Sequence, residues 1–347
     1  LKEGIKMIRF DNDYVAGGHT AILDALYKTN EEQLPGYGTD KYTESAQTLI
    51  KQACDNDDID VHLMVGGTQA NTTIIASILR PYQAVISADT GHIAVHETGA
   101  IEATGHKVIE LTNDNGKLSA AQITKYVADY WDDATHEHIP QPKLVYLSQP
   151  TELGSLYSKK ELTDIYNVCQ SNNLYLMVDG ARLGYGLASD SNDLTLNDLT
   201  KLTDVFYIGG TKVGALFGEA IVITHNDLKQ DFRYMMKQHG GLLAKGRLLG
   251  IQFTTLFQDN LYIQLGRHAL EMADLLKSEL QQKGVTMQYD SPTNQLFPII
   301  SHQQMEMLSK DFAFQIWEKL SPEKIVIRLC TSWSTKKEDV EKLINAI

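Results

Sequence analysis

Seven short apolar runs punctuate the first two thirds of the chain, at residues 61–65, 84–87, 107–111, 144–148, 174–178, 205–208 and 220–224. Most are apolar at successive positions, the pattern of strands covered by helices on both faces rather than of a sheet with one wet side. Between them, residues 42–53, 69–79, 120–130 and 159–170 place apolar side chains at helical spacing. Alternation of this kind predicts an α/β layered domain with a mostly parallel sheet and right-handed crossovers. Ligands of such sheets sit beyond the carboxyl ends of the strands. The residues that follow each run are therefore where chemistry is to be sought.

After about Arg233 the texture changes. Two long helical patterns (246–257 and 262–283) lead into a predicted strand at 295–300, a helix at 312–320, a strand at 325–329 and a last helix. Thr335-Lys336-Lys337-Glu338 has the Thr-x-x-Glu spacing of a capping box for that helix. The expected division is a large unit over 1–235 and a smaller α+β unit over 236–347. No Pro/Gly/Ser-rich linker separates them, so they should pack closely.

A length of 347 residues suits about two domains. Lys and Arg number 31 against 44 Asp and Glu, a net charge of −13. That field repels phosphate backbones and anionic lipids, so neither nucleic acid nor a membrane is expected as a partner, and any phosphate must be held by a local site. Residues 1–7 hold no apolar leader core, and nowhere do 18 apolar residues run together. Three cysteines (Cys54, Cys169, Cys330), far apart and with no Cys-x-x-Cys pair, fit a reducing cytoplasm rather than a disulfide framework.

Several familiar signatures are absent. Gly36-Tyr37-Gly38 and Gly184-Tyr185-Gly186 begin like a dinucleotide fingerprint but lack its third glycine. No phosphate-loop Gly-Lys-Ser/Thr motif and no Gly-x-Ser-x-Gly turn occurs. His96-Glu97 has Ala100 where a zinc protease needs its second histidine, and His136-Glu137-His138 reads as an exposed loop rather than a metal site.

Four strand ends carry chemistry instead. Gly66-Gly67-Thr68-Gln69 follows the first run and opens a helix, where unpaired N–H groups attract an anion; a plain turn with Thr68 as N-cap would look the same. Asp179-Gly180-Ala181-Arg182 ends an apolar strand, and Arg182 is either part of a site or merely the salt-bridge partner that a buried carboxylate requires. Lys212, within Gly209-Gly210-Thr211-Lys212-Val213-Gly214, sits between apolar runs, where burial lowers an amine's pKa as a Schiff-base nucleophile needs; a solvated turn lysine is the alternative. His92 follows the second run, in a place where a lone histidine is commonly structural. Taken together, a phosphate cradle, a lysine, a carboxylate and a flat ring specify pyridoxal phosphate. Its aldehyde needs the amine, and its pyridinium, kept protonated by the carboxylate, withdraws electrons when a bond at Cα breaks.

With these residues in view, the whole chain resembles the low-specificity L-threonine aldolases, of the aspartate-aminotransferase-like (type I) fold of pyridoxal-phosphate enzymes. The matching segments are Tyr37-Gly38-Thr39-Asp40, Gly67-Thr68-Gln69-Ala70-Asn71, Gly91-His92 with Glu97, Asp179-Gly180-Ala181-Arg182, the Lys212 strand end, and Ile327-Arg328-Leu329 with Thr331. The resemblance implies that Lys212 carries the cofactor with Thr211 beside it. Asp179 would hold the ring nitrogen, His92 would stack on the ring, and Gly67, Thr68 and Gln69 would cradle the phosphate. Arg182 would reach cofactor or substrate oxygens, and Arg328, Asn12 and Tyr37 would meet the substrate, with His92, Glu97 or a water held by either as candidate bases. It further implies a homo-oligomer, a dimer or a homotetramer, with residues 37–40 and Lys245 reaching a neighbouring subunit's site. Relatives commonly read Glu-Asn-Thr-His-Asn where this chain has Gln149-Pro150-Thr151-Glu152-Leu153, so Glu152 replaces a histidine. The implied reaction is cleavage of the Cα–Cβ bond of L-threonine or L-allo-threonine to glycine and an aldehyde. β-Elimination or transamination on the same fold is the enzymatic alternative, and a binding protein without catalysis the other.

Overall fold

The structure, a computed structural model, describes residues 7–347; residues 1–6, on which most of the N-terminal reading rests, lie outside the described residues. A short strand β1 (Ile8–Arg9) precedes a seven-stranded sheet built from β2 (Asp60–Met64), β3 (Gln83–Ala88), β4 (Lys107–Leu111), β5 (Gln141–Ser148), β6 (Tyr175–Asp179), β7 (Val205–Gly209) and β8 (Glu219–Ile223). The spatial order is β2-β8-β7-β6-β5-β3-β4. All seven apolar runs lie in this one sheet. Their side chains alternate between two cores: Ile86, Val145, Phe206 and Val222 face one layer of helices, whereas Val85, Tyr146, Met177 and Tyr207 face the other. That two-sided burial is why the strands read as continuous apolar stretches.

Strands β3 to β7 run parallel, while β8 lies antiparallel to both β2 and β7. The cause is local. Residues 210–218 join β7 to β8 without a helix, and a connection that short cannot make the crossover a parallel pair requires. As a result Glu219, the first residue of β8, is paired with Gly209 and Met64, at the edge where β2 and β7 end.

The C-terminal part holds β9 (Gln295–Leu296), β10 (Ile299–Ser301), β11 (Phe312–Ala313), β12 (Gln315–Lys319) and β13 (Lys324–Cys330), with β13 antiparallel to β9, β10 and β12. Three expectations are corrected here. Residues 312–320 are not a helix: Phe312, Phe314 and Ile316 alternate with period two, and Ile316 pairs with Ile327 across β13. The strand expected at 295–300 is broken in two by Phe297-Pro298, since proline offers no N–H to a ladder. The last helix, Lys337–Ala346, has Lys336 rather than Thr335 at its cap, and the Thr335 hydroxyl instead accepts from the Ser332 N–H at 2.8 Å.

The helix Arg247–Phe257 packs into the large core through Leu249, Phe253 and Leu256. The following helix, Leu261–Gln282, gives Leu265 and Ala269 to that core but Met272, Leu276 and Leu280 to the small one, which Phe10 also enters. We propose that the two units divide within this helix, with Phe10 belonging to the second, in place of a division at 235/236. Phe10 is 1% exposed. Phe10→Ala is expected to cost about 3–5 kcal/mol and to lower the urea midpoint; an unchanged midpoint would remove the N-terminal strand from the small core.

Candidate active site

A cavity of about 310 Å³ opens at the edge where β2, β5, β6 and β7 end. A second, of about 270 Å³, adjoins it on the side of the small unit. Tyr14, His92, Glu152, Arg182 and Lys212 line both, and so mark the junction of two lobes.

The first lobe is closed at one end by Gly66, Gly67 and Thr68. The helix Gly67–Ile78 starts here with Gly66 as its cap, so Thr68 lies inside the first turn rather than at the cap position. A Cβ built on Gly66 would meet nothing within 4 Å, leaving open space beside the first-turn amides. Gln69 does not line the cavity. Its side chain accepts from the Val65 N–H at 3.2 Å and donates to the His239 carbonyl at 3.1 Å, bracing the loop that shapes the cradle.

Asp179 ends β6 on the floor of the same lobe. It is 4% exposed, and its carboxylate accepts from the Ala181 N–H at 2.9 Å, the Asn71 amide at 3.2 Å and the Tyr146 hydroxyl. Burial pushes its pKa up, but the neighbouring His92, the Tyr146 and Tyr207 hydroxyls and the Ala181 amide outweigh it and hold the group below the ordinary carboxylate value. Gly180 is obligatory at this turn, because a Cβ there would stand 1.9 Å from the Tyr207 carbonyl oxygen.

Arg182 is not the partner of Asp179. Its Nε and one terminal nitrogen donate to Asp13 at 2.7 and 3.0 Å. Burial works against the Asp13 charge, yet Arg182 and, with less weight, Lys212 draw that carboxyl down to about 2. Asp13 also accepts from Asn294 at 3.0 Å, joining the N-terminal segment to both units.

Lys212 lies beyond β7 in the turn after Thr211, and its amine makes no hydrogen bond among the described residues. Burial and the Arg182 charge push its pKa down, against the pull of Asp13, Asp179 and Glu219. The Thr211 hydroxyl donates to Glu219 at 2.9 Å, while the other Glu219 oxygen is buried without a partner. Burial raises that acid to about 8, with the Asp179 charge adding to the shift and Thr211 and Lys212 opposing it.

His92 flanks both lobes. Its Nδ1 lies 2.8 Å from Glu97, which also accepts from Asn71 at 2.7 Å. Glu97 lines neither lobe and, as placed, holds His92 in position. The second lobe ends at His96, Gln315, Trp317 and Arg328. Arg328 is oriented by Gln295 at 3.1 Å and the Asp11 carbonyl at 3.3 Å and lies 5.3 Å from the centre of the Trp317 ring, while its buried Nε has no partner.

Two expected substrate contacts lie outside these lobes. Asn12 accepts from the Tyr14 N–H and donates to Asp11, both at 3.0 Å, and so shapes the turn that presents Tyr14. Tyr37 is 46% exposed on another face, its ring 4.5 Å from the Lys237 amine and its N–H on the Ala244 carbonyl at 3.3 Å, next to Lys245. Sequence reasoning missed Asp13, Tyr14, Tyr146, Glu219 and Trp317 as site residues. Asp13 stands in the polar triplet Asp11-Asn12-Asp13 after Phe10, and nothing in that local pattern singles it out from Asp11.

Fold and site together define a class, the pyridoxal-phosphate enzymes of the aspartate-aminotransferase fold. The residues fit that cofactor: an open glycine cradle, an amine without a partner and a buried carboxylate face one cavity. The sequence profile of beta-eliminating lyases matches residues 10–303. Low-specificity L-threonine aldolases of a Pseudomonas species and of Pseudomonas aeruginosa are each 30% identical, covering 96% and 98% of this chain and 95% and 96% of their own. A Leishmania major threonine aldolase structure is 45% identical with a TM-score of 0.95, covering 97% of this chain and 98% of its own. Thermus thermophilus aspartate aminotransferase, 13% identical with a TM-score of 0.73, covers 99% of this chain and 92% of its own and shares the fold. The chain belongs to the beta-eliminating lyase family and, within it, to the low-specificity L-threonine aldolases.

A carboxyl that binds its proton more tightly in the native state destabilises that state as pH rises from the unfolded value, near 4.5, through about 8. Glu219→Gln is expected to remove this slope in cofactor-free protein. Relative to wild type it should gain on the order of a few kcal/mol at pH 9 over pH 5, measured as thermal midpoints across that range. Parallel curves for the two proteins would contradict it.

Proposed function

We propose that this protein is a pyridoxal-phosphate-dependent aldehyde-lyase that cleaves the Cα–Cβ bond of L-threonine and L-allo-threonine, giving glycine and acetaldehyde. The observation that carries the reading is the two-lobed site: Lys212 at the junction, Asp179 and the glycine cradle on one side, and an arginine with an unpartnered donor on the other. Pyridoxal phosphate, when bound, supplies an aldehyde for an amine and a ring that takes up the electron pair left by a breaking Cα bond.

The chain's own residues do the rest. Lys212, its ammonium disfavoured by burial, presents the neutral amine that attack on an aldehyde requires. Asp179, locked by three donors and held ionised, accepts a proton-bearing ring nitrogen; such a charge-assisted bond is worth roughly 1.5–3 kcal/mol. Gly66, Gly67 and Thr68 offer first-turn amides and the positive end of a helix to a phosphate. That local field is what lets a chain of net charge −13 hold an anion. His92, fixed by Glu97, presents a flat ring at the junction. Arg182 keeps one terminal nitrogen free of Asp13 for cofactor or substrate oxygens. Arg328 offers a planar set of donors suited to a substrate carboxylate, which orients the amino acid about its Cα.

The reading extends to assembly and location. Exposed Tyr37 lies among Arg233, Lys237 and Lys245, a cationic surface on an acidic chain. This supports a homo-oligomer, a tetramer in its fullest form, in which that surface meets a neighbour's phosphate. Light scattering that finds only monomer would remove this part. Three free, buried cysteines support a cytoplasmic protein, checked by cell fractionation. No helix among the described residues is long and apolar enough to cross a membrane.

Incubation with L-threonine is expected to release glycine and acetaldehyde; a keto acid would assign elimination or transamination instead. Lys212→Ala should abolish both the visible absorption of bound cofactor and glycine release, and full turnover in that variant would end the reading. Arg328→Lys keeps the charge but loses the planar donors, and should lower kcat/KM by about 10- to 100-fold through a raised KM.

A further inference from the structure

We infer that Glu152 is the catalytic residue that accepts the proton of the substrate's β-hydroxyl, an assignment that rests on the lyase reading above. The carboxylate is buried at 8% exposure, four residues beyond the end of β5, and borders both lobes. The Ser148 hydroxyl at 2.6 Å and the His92 N–H at 2.9 Å both donate to Oε1. Among the described residues Oε2 accepts from nothing, and it is not one of the sealed, unpartnered atoms. One oxygen is thus anchored while the other is left to the cavity.

The remaining junction groups differ from it in chemistry or in placement. Arg182 is a permanent cation tied to Asp13. Lys212 is the amine for the cofactor. His92 has its Nδ1 on Glu97 and its backbone N–H on Glu152, and Tyr14 offers a phenol, a weaker proton acceptor than a carboxylate. Glu152 faces Asp179, His92, Arg182, Lys212, Tyr146 and Tyr157. Burial and the Asp179 charge raise its pKa, whereas Ser148 and His92 hold the shift back, which moves a carboxylate toward the range useful to a base.

In the step itself the β O–H bond breaks and its proton passes to Oε2. The O–H pair becomes the second C–O bond of the aldehyde, and the Cα–Cβ pair stays with the glycine fragment. That fragment takes up one proton at Cα, which balances the proton held by Glu152.

The test uses holoenzyme and two reactions. Glu152→Gln should slow glycine release from L-threonine by about 100- to 1,000-fold, with KM changed by less than about threefold. Exchange of the glycine α-proton in D₂O involves no β-hydroxyl and should continue within about twofold of wild type. Glu152→His should recover cleavage with the acid limb of its pH profile moved toward the imidazole range. Cleavage near wild type in Glu152→Gln, loss of exchange in parallel with cleavage, or an unmoved acid limb in Glu152→His each overturns the assignment. If Glu152→Gln fails to fold, the limb in Glu152→His decides alone. A wild-type enzyme that exchanges glycine but cleaves no β-hydroxy amino acid overturns the lyase reading itself.

Discussion

The ion pair between Asp13 and Arg182 is the constraint on which the site's geometry depends. Asp13 is buried and the Arg182 side chain nearly so, and removing either would strand a charge largely away from water at a cost of roughly 3–5 kcal/mol. Asn294 adds a third member from the small unit. One carboxylate therefore fastens the N-terminal segment to the sheet edge and to the second core at once. It also fixes Tyr14 at the junction of the lobes and keeps Arg182 from neutralising Asp179, which is left to its neutral donors and the His92 ring.

The second organising fact is the crowding of ionisable groups at one edge of the sheet. Asp179, Glu152, Glu219 and Lys212 border one cavity, and no two of them form an ion pair within it. Instead each is held by hydroxyls and amides: Tyr146, Asn71 and the Ala181 amide on Asp179, Ser148 and the His92 amide on Glu152, Thr211 on Glu219. Groups so held keep different proton affinities side by side, as general acid–base chemistry needs.

Much of this arrangement was legible in the sequence, for a physical reason. Strands buried on both faces must be apolar, so Asp179, Lys212 and the Gly66-Gly67 pair stand out where such runs end. The seven strands, their layers and the glycine cradle follow from that pattern. Contacts between distant segments do not. Arg182 lies three residues from Asp179, and nothing local says that it reaches Asp13, 169 positions away. Residues 312–320 carry apolar side chains compatible with both periods, and only pairing with β13 decides for a strand. Gln69 and Glu97 are of the right type in the right motif, but their side chains turn to brace a loop and a histidine.

The connection between β7 and β8 has a consequence for how this chain can change over time. Those nine residues carry the lysine, and their far end starts the strand that brings Glu219 to the same edge. Both ends are anchored in one hydrogen-bonded ladder, so an added or deleted residue would have no slack to absorb it and would drag the amine or reverse the inside-out order of β8. Surface loops elsewhere can drift in length, but here drift is forbidden by carpentry rather than by chemistry.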